Sequence, residues 1–337
     1  MIKIVNIRDV AKAADVSVAT VSHVINRNYF VSEHLIKRVN KAIKDLNYSP
    51  NLVAGSLRRK KTGTIGLIVP DNSNPFFAEL SKNIENSTYL LGYNIFICNS
   101  SYDIKRELNN LDMLISKRVD GILIIPETNE DTLIEKAKNS GIPLVLIERN
   151  FPNLFLDKIL INHFKAGYES ANYLIGLGHK KIIFIDRKSD KFHSIERKRG
   201  YKQALKDNKI KIDNRLIIRG GKLFVSGYEI VEVLVKSHLD TTAILWFEDI
   251  EAIGAINAAK KFGLKVPEDI SIVGYGDLSF SKYLVPELTT IYIPIAQIAI
   301  EAVKVLNKRI KNPNIKNIIT KVIEPELVIR QSTRKIS

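Results

Sequence analysis

Between Ser17 and Asn26 the chain reads Ser-Val-Ala-Thr-Val-Ser-His-Val-Ile-Asn, a run of hydroxyls, one imidazole and one amide without an acid. At about 100° per residue, Val21, Val24 and Ile25 fall on one side of a helix, and Val18, Ala19, Ser22, His23 and Asn26 spread over the opposite arc. A small, polar, acid-free arc suits a helix lying in a major groove, where base edges present donors, acceptors and the thymine methyl. The chemistry on offer is hydrogen bonding to nucleic acid. No nucleophilic or metal-binding pattern competes with it. The six histidines include no pair at i, i+4, and neither Cys-x-x-Cys nor Gly-x-Ser-x-Gly occurs. Gly274-Tyr275-Gly276-Asp277 lacks the wider glycine spacing and following helix of a phosphate-binding loop. No enzymatic role and no cofactor are expected.

Such an arc has to be held by neighbouring elements. Ile4, Ile7, Val10, Ala11 and Ala14 recur at helical spacing just before it. Only the short break Ala14-Asp15-Val16-Ser17 separates the two segments, and Ser17 is an N-cap candidate for the second. Two short helices joined so tightly cross steeply, which predicts a helix-turn-helix. Leu35, Val39, Ala42, Ile43 and Leu46 supply a third helix on which both pack. Without a nucleic-acid partner the same pattern would be an ordinary three-helix bundle with a polar outer face.

Charge follows this division. The formal net charge of the 337 residues is +15, and residues 1–63 carry 12 Lys/Arg against 4 Asp/Glu. Positive charge is therefore densest at the N-terminus, as a polyanion-binding module requires. The lone Cys98 lies in the apolar run Ile95-Phe96-Ile97-Cys98, which predicts a buried strand thiol, no intrachain disulfide and a reducing cytoplasm. The first residues lack a signal-peptide core, and no run approaches the roughly 20 apolar residues of a membrane span.

From Thr64 the texture changes. Thr64–Val69, Asn94–Ile97, Gly121–Ile125 and Pro143–Ile147 are short, nearly continuous apolar runs that start 30, 27 and 22 residues apart, with helix-like stretches between them. Lys181–Ile185, Ala243–Phe247 and Ile270–Val273 form a second series. Parallel strands covered by helices on both faces read this way. The predicted fold is an all-α helix-turn-helix domain followed by two doubly wound α/β lobes whose strand ends face a shared cleft, a natural small-ligand site.

Ile7-Arg8-Asp9-Val10-Ala11-Lys12-Ala13-Ala14, the Val-Ser-x-Ala-Thr-Val-Ser core and Asn47-Tyr48-Ser49-Pro50-Asn51 closely resemble the LacI/GalR family of bacterial transcription repressors. Thr20–Asn26 and Phe30-Val31-Ser32-Glu33 are most similar to its purine- and ribose-repressor branch. Gly178–Ile182, Arg197–Tyr201, Val266–Tyr275, Leu288–Ile291 and Glu326–Ser332 extend the resemblance to practically the whole chain. It implies a periplasmic-binding-protein-like effector and dimerisation domain over 64–337, with crossings between lobes near residues 162, 292 and 322. The N-lobe would comprise about 64–162 and 293–322, the C-lobe about 163–292 and 323–337. It implies DNA contacts by Ser17, Val18, Ala19, Thr20, Ser22, His23, Asn26, Tyr48 and Asn51 of the domain at 1–49 and its continuation. Residues 50–63 read from composition as a basic linker. By resemblance they fold on operator DNA into a hinge helix whose Leu57 wedges between base pairs, and Gly55 weakens that helix.

For the cleft, the resemblance implies an aromatic wall from Phe76 or Phe77, although two aromatics at a helix start serve a core equally well. Arg197 falls where relatives place an arginine on the ligand, and Lys191 and His193 fall in the loop after Ile185. Departures are frequent. The acid of the usual Asp-Arg pair is Glu148, and the usual Asn before Asp249 is Glu248, following Phe247. The aspartate expected after Gly-Tyr is Gly276, with Asp277 one place later, and an aromatic position aligns with Lys222. Trp246 and Phe247 are expected near the floor, and Glu248 is expected to pair with a ligand cation, Lys222 or Arg197.

The leading expectation is a homodimeric, sequence-specific regulator that binds double-stranded, palindromic operator DNA. A small molecule in the cleft, a sugar or related metabolite but neither plain ribose nor a purine base, would set its affinity. Two alternatives use the same sheets: a cytoplasmic solute-binding protein whose N-terminal bundle serves assembly, and a dehydrogenase or kinase. The basic helix-turn-helix disfavours the first, and the missing phosphate loop the second.

Overall fold

The computed structural model describes residues 5–26, 29–49, 61–126, 131–151, 155–187, 191–221, 223–237 and 241–336. The chain divides into two compact units, Met1–Thr62 and Gly63–Ser337. In the first, helix α1 (Ile7–Ala13) starts at a capping box. The Asn6 side chain accepts from the Arg8 N–H at 2.8 Å, and the Asp9 carboxylate accepts from the Asn6 N–H at 2.9 Å. Two of the helix's orphan donors are thereby satisfied. Helix α2 (Val18–Asn26) follows a turn at Asp15, and Ser17 caps it by accepting the Thr20 N–H at 3.1 Å. Helix α3 (Glu33–Asp45) returns across both, and its Arg38 donates to the Asp15 carbonyl and carboxylate, each at 3.0 Å. The core is mostly small: Val10, Ala11, Ala14, Val21, Val39 and Ala42 are buried, with Val24, Ile25, Ile43 and Leu46 packed around them.

In the second unit the elements run β1 (Thr64–Val69), α4 (Pro75–Tyr89), β2 (Asn94–Asn99), α5 (Ile104–Ser116), β3 (Gly121–Ile124), α6 (Asp131–Asn139), β4 (Leu144–Ile147) and β5 (Asp157–Ile161). Next come α7 (His163–Gly176), β6 (Ile182–Arg187), α8 (Phe192–Asp207), β7 (Ile217–Gly220), α9 (Leu223–Ser237), β8 (Ala243–Leu245), α10 (Asp249–Lys261) and β9 (Ser271–Gly276). The unit ends with β10 (Thr289–Tyr292), α11 (Ile295–Lys311), β11 (Thr320–Ile323) and β12 (Glu326–Val328). The first sheet has the order β11-β5-β4-β3-β1-β2 and the second β12-β10-β9-β8-β6-β7. Every pairing is parallel except β10 with β12.

Continuous apolar runs arise because both faces of each sheet are covered. On β1, Ile65, Leu67 and Val69 pack with α4 and α11, whereas Ile68 packs on the other face with α5. On β6, Ile183 and Ile185 meet the α9–α10 side, while Ile182 and Phe184 meet α7 and α8. Cys98 is buried in the first lobe's core, and burial pushes its thiol up. The chain passes from the first sheet to the second after β5, back after β10, and over again after β11. Among the described residues no helix is long and apolar enough to cross a membrane.

Candidate functional site

On α2, Val21 is buried while Ser17, Val18, Ala19 and Asn26 are exposed and Thr20, Ser22 and His23 are half-buried. The Ser17 and Thr20 hydroxyls lie 2.9 Å apart. Asn26 turns back along its own helix and donates to the Ser22 carbonyl at 2.7 Å. The His23 ring meets Tyr29 edge to face, with centroids 4.6 Å apart, a contact that sequence reading missed. Tyr48 is half-buried beside the small core. Asn51 and Leu57, and with them the hinge, lie outside the described residues.

In the second unit, a cavity of about 500 Å³ opens between the two sheets, at the C-terminal ends of their strands. Those ends explain which side chains gather there. Glu148 and Arg149 follow β4, Arg187 ends β6, Phe247 and Glu248 follow β8, and Tyr275 and Gly276 end β9. Phe76 and Phe77, in the first turn of α4, line the cavity and also pack on the first lobe's core, so they serve both purposes. Their rings meet edge to face at 5.3 Å. Lys191 and His193 line the cavity from the cap and first turn of α8, a helix start where the sequence suggested a loop.

Arg197 is held on three sides. Its guanidinium lies 3.8 Å from the Phe247 ring centroid and 3.9 Å from that of Tyr275, and it donates to the Phe247 carbonyl at 2.7 Å. The position of α8 depends on glycine: a Cβ on Gly167 of α7 would stand 2.1 Å from the Arg197 carbonyl oxygen, and one on Gly200 2.1 Å from the Phe164 oxygen. Only glycine allows the two helices this approach.

Two polar links join the lobes across the cleft. Glu148, in the left-handed region at φ 64°, bonds His163 Nε2 at 2.8 Å, and His163 Nδ1 lies 2.8 Å from the Tyr275 hydroxyl. Asn74, which caps α4, donates to Glu248 at 3.2 Å. Glu248 also pairs with Arg187 at 3.0 Å, and Arg187 reaches the buried Glu251 at 3.2 Å. Burial, opposed by Arg187, pushes the Glu251 carboxyl up to about 7.

Three expectations need correction. Glu248 pairs with Arg187, not with Arg197; Lys222 lies outside the described residues. Asp277 does not line the cavity, because its carboxylate pairs with Arg330 at 2.7 Å. Trp246 belongs to the core under α9 and α10; with side chains alternating along a strand, only its neighbour Phe247 faces the cleft. His179 is buried between Thr242 and the Arg334 carbonyl, and burial lowers its pKa. Arg187, His163 and Tyr275 escaped the sequence reading. A charge ending an apolar strand, as Arg187 does, was the available signal.

A family model of bacterial regulatory proteins, lacI family, matches residues 6–51, and one of periplasmic binding proteins and the sugar binding domain of the LacI family matches residues 62–326. The chain is 39% identical over 331 residues to the HTH-type transcriptional repressor PurR of Aliivibrio salmonicida, covering 98% of this chain and 99% of that protein. The lac repressor dimer bound to operator and the anti-inducer ONPF aligns with a TM-score of 0.87 and 25% identity, over 98% of this chain and 100% of that one. A LacI family transcriptional regulator from Enterococcus faecium with bound ribose aligns with a TM-score of 0.74 and 28% identity, over 81% of this chain and all of that one. These relatives are named as regulators of transcription rather than enzymes.

Proposed function

The chain belongs to the lacI family of bacterial regulatory proteins, DNA-binding transcriptional regulators with an effector domain, and from that premise we propose a cytoplasmic, homodimeric repressor of palindromic operators controlled by a small molecule. The observation that carries this reading is the acid-free outer face of α2, displayed on a folded bundle whose larger partner unit encloses a polar and aromatic cavity. Val18, Ala19 and His23 read bases, while Ser17, Thr20, Ser22 and Tyr48 hold phosphates. Asn26, anchored to Ser22, braces the end of the helix. Residues 50–63 act as the hinge, with Asn51 and Leu57 on DNA.

Dimerisation lets two short helices read a palindrome and add their free energies. Exposed apolar residues support it: Tyr89 and Leu90 beside the edge strand β2, Phe96 and Ile97 on that strand, and Phe224 and Val225 on α9. An uncovered apolar edge strand is a liability for a monomer. In the cleft, Phe76 or Phe77 stacks on the effector and Arg197 donates to it. Plain ribose and purine bases fit poorly, because the acceptor expected at Gly276 is absent and Glu248 is engaged by Arg187. Likeness to a named repressor along the whole chain weighs against a solute-binding protein.

Gel shifts with genomic fragments, with and without polyanion competitor, test the reading. Retarded fragments that survive competitor and share a palindrome are expected. Binding that competitor abolishes on every fragment would refute it.

A further inference from the structure

The cleft is short of acceptors for a ligand. Glu248 divides its oxygens between Arg187 and the Asn74 amide, and one oxygen of Glu148 is engaged by His163 while its other oxygen is buried without a hydrogen-bond partner. Asp249, the first residue of α10, is consumed by the Ser281 and Thr290 hydroxyls at 2.6 and 2.5 Å and the Leu278 N–H at 2.8 Å. Asp277 is turned to Arg330. Gly276 offers no side chain, and a Cβ there would meet nothing closer than 3.8 Å, so the space is open and lacks an acid. The hydroxyls of a neutral polyol, or the N–H groups of a base, find few partners here.

Cations are placed the other way. Arg197 is only 5% exposed, and among the described residues no carboxylate pairs with it. Two aromatic rings, one carbonyl and a buried Nε without a hydrogen-bond partner make up its surroundings. The Glu248 and Glu148 carboxylates act on Arg197 only without direct contact, and a guanidinium withdrawn from water without a directly bonded carboxylate is costly, so an anion brought beside it recovers part of that cost. The neighbouring imidazole reports the same field. His193 is held well below its ordinary range, first by burial and then by Arg197, His163, Lys191 and Arg149.

We propose that the effector of this cleft is a small anion, seating a carboxylate or phosphate group at the Arg197 end of the cavity and its body against Phe76 and Phe77. This rests on the reading of the cleft as the effector site. An anionic oxygen makes charge-assisted hydrogen bonds with a guanidinium, roughly twice as strong as neutral ones, which a sugar hydroxyl does not match.

Calorimetry on the full chain with matched sets tests it: D-ribose against D-ribonate and D-ribose 5-phosphate, and D-glucose against D-gluconate and D-glucose 6-phosphate. At least one anion is expected to bind about ten-fold or more tightly than its neutral counterpart, with the preference shrinking at high salt. Which anion prevails separates carboxylate from phosphate. Arg197→Gln should erase the preference; because that residue is buried, Lys191→Met at the cavity wall provides a second variant, expected to lower anion affinity several-fold more than neutral affinity. Equal or tighter binding of the neutral compounds, or no binding of any anion at millimolar concentration, overturns the proposal. Operator gel shifts on the same samples separate the two levels. A neutral ligand that alters operator affinity leaves the regulator reading intact and removes only the anion, whereas operator binding indifferent to every ligand bound in the cleft removes the effector reading itself.

Discussion

His23 stands on the outer arc of α2 with the Tyr29 ring set edge-on against it, so its imidazole is oriented before any DNA arrives. A preset donor or acceptor discriminates between bases better than a freely rotating one. His23→Ala should therefore change preference at one base pair per half-site by about 1–3 kcal/mol, read by gel shift on an operator series. Uniform weakening on all sequences would make His23 a phosphate contact instead. His179 supports a second prediction. Its pKa is lowered by burial, from an ordinary value of 6.5, so below that value the unfolded chain binds a proton that the folded chain refuses. Folding stability is then full above pH 6.5 and falls as pH drops towards the folded pKa, by about 1.4 kcal/mol per pH unit for such a group. Denaturant melts between pH 7 and 5 should show a shallower slope in His179→Gln. An unchanged slope would mean that His179 titrates alike in the folded and unfolded states.

Helix pairing decides the site at the next scale. The α7–α8 contact works because Gly167 and Gly200 let backbone approach backbone, and α8 delivers Lys191, His193 and Arg197 to the cleft. Gly167→Ala would drive a methyl into the Arg197 carbonyl, which is rigid backbone, so α8 must shift and overpacking of this kind costs about 1–3 kcal/mol. The expected outcome is a lower melting temperature together with weaker effector binding and a normal DNA-binding unit. If effector affinity is retained, α8 tolerates the displacement and the site is less dependent on it. The proposed hinge at residues 50–63 is the other segment at stake. Leu57→Ala should reduce operator affinity and bending while both units melt as before, since an apolar residue on a basic, glycine-containing linker has its partner in DNA.

At the level of the whole molecule, the exposed edge of the first sheet is the feature that asks for a second copy. Phe96 is 46% exposed on β2, next to Leu90 at 84%. Placing a charge there by Phe96→Asp should dissociate the dimer in sedimentation experiments. Palindromic operator binding should fall with it, while effector binding, housed within one chain, persists. A monodisperse dimer of the variant would move the interface elsewhere.

The periodicities were legible without coordinates because they are local consequences of geometry. A 3.6-residue repeat placed the helices around Val10, Val21 and Val39, and unbroken apolar runs at Ile65–Val69 and Ile182–Ile185 announced strands buried on both faces. Short or polar strands such as β7, β11 and β12 left no such trace; register with a neighbour, not composition, makes them strands. The site divides the same way. Phe76, Phe77, Glu148, Lys191, His193, Arg197, Phe247 and Glu248 were nameable in advance through the resemblance to the family, and the structure places them around one cavity. Partners were not. That Glu248 meets Arg187, that Asp277 turns to Arg330 and that Trp246 sinks into the core depend on contacts between residues tens of positions apart, which only the packing of the two lobes settles. The sequence determined which groups reach the cleft; tertiary structure decided which charges are already neutralised there, and so what a ligand has left to bind.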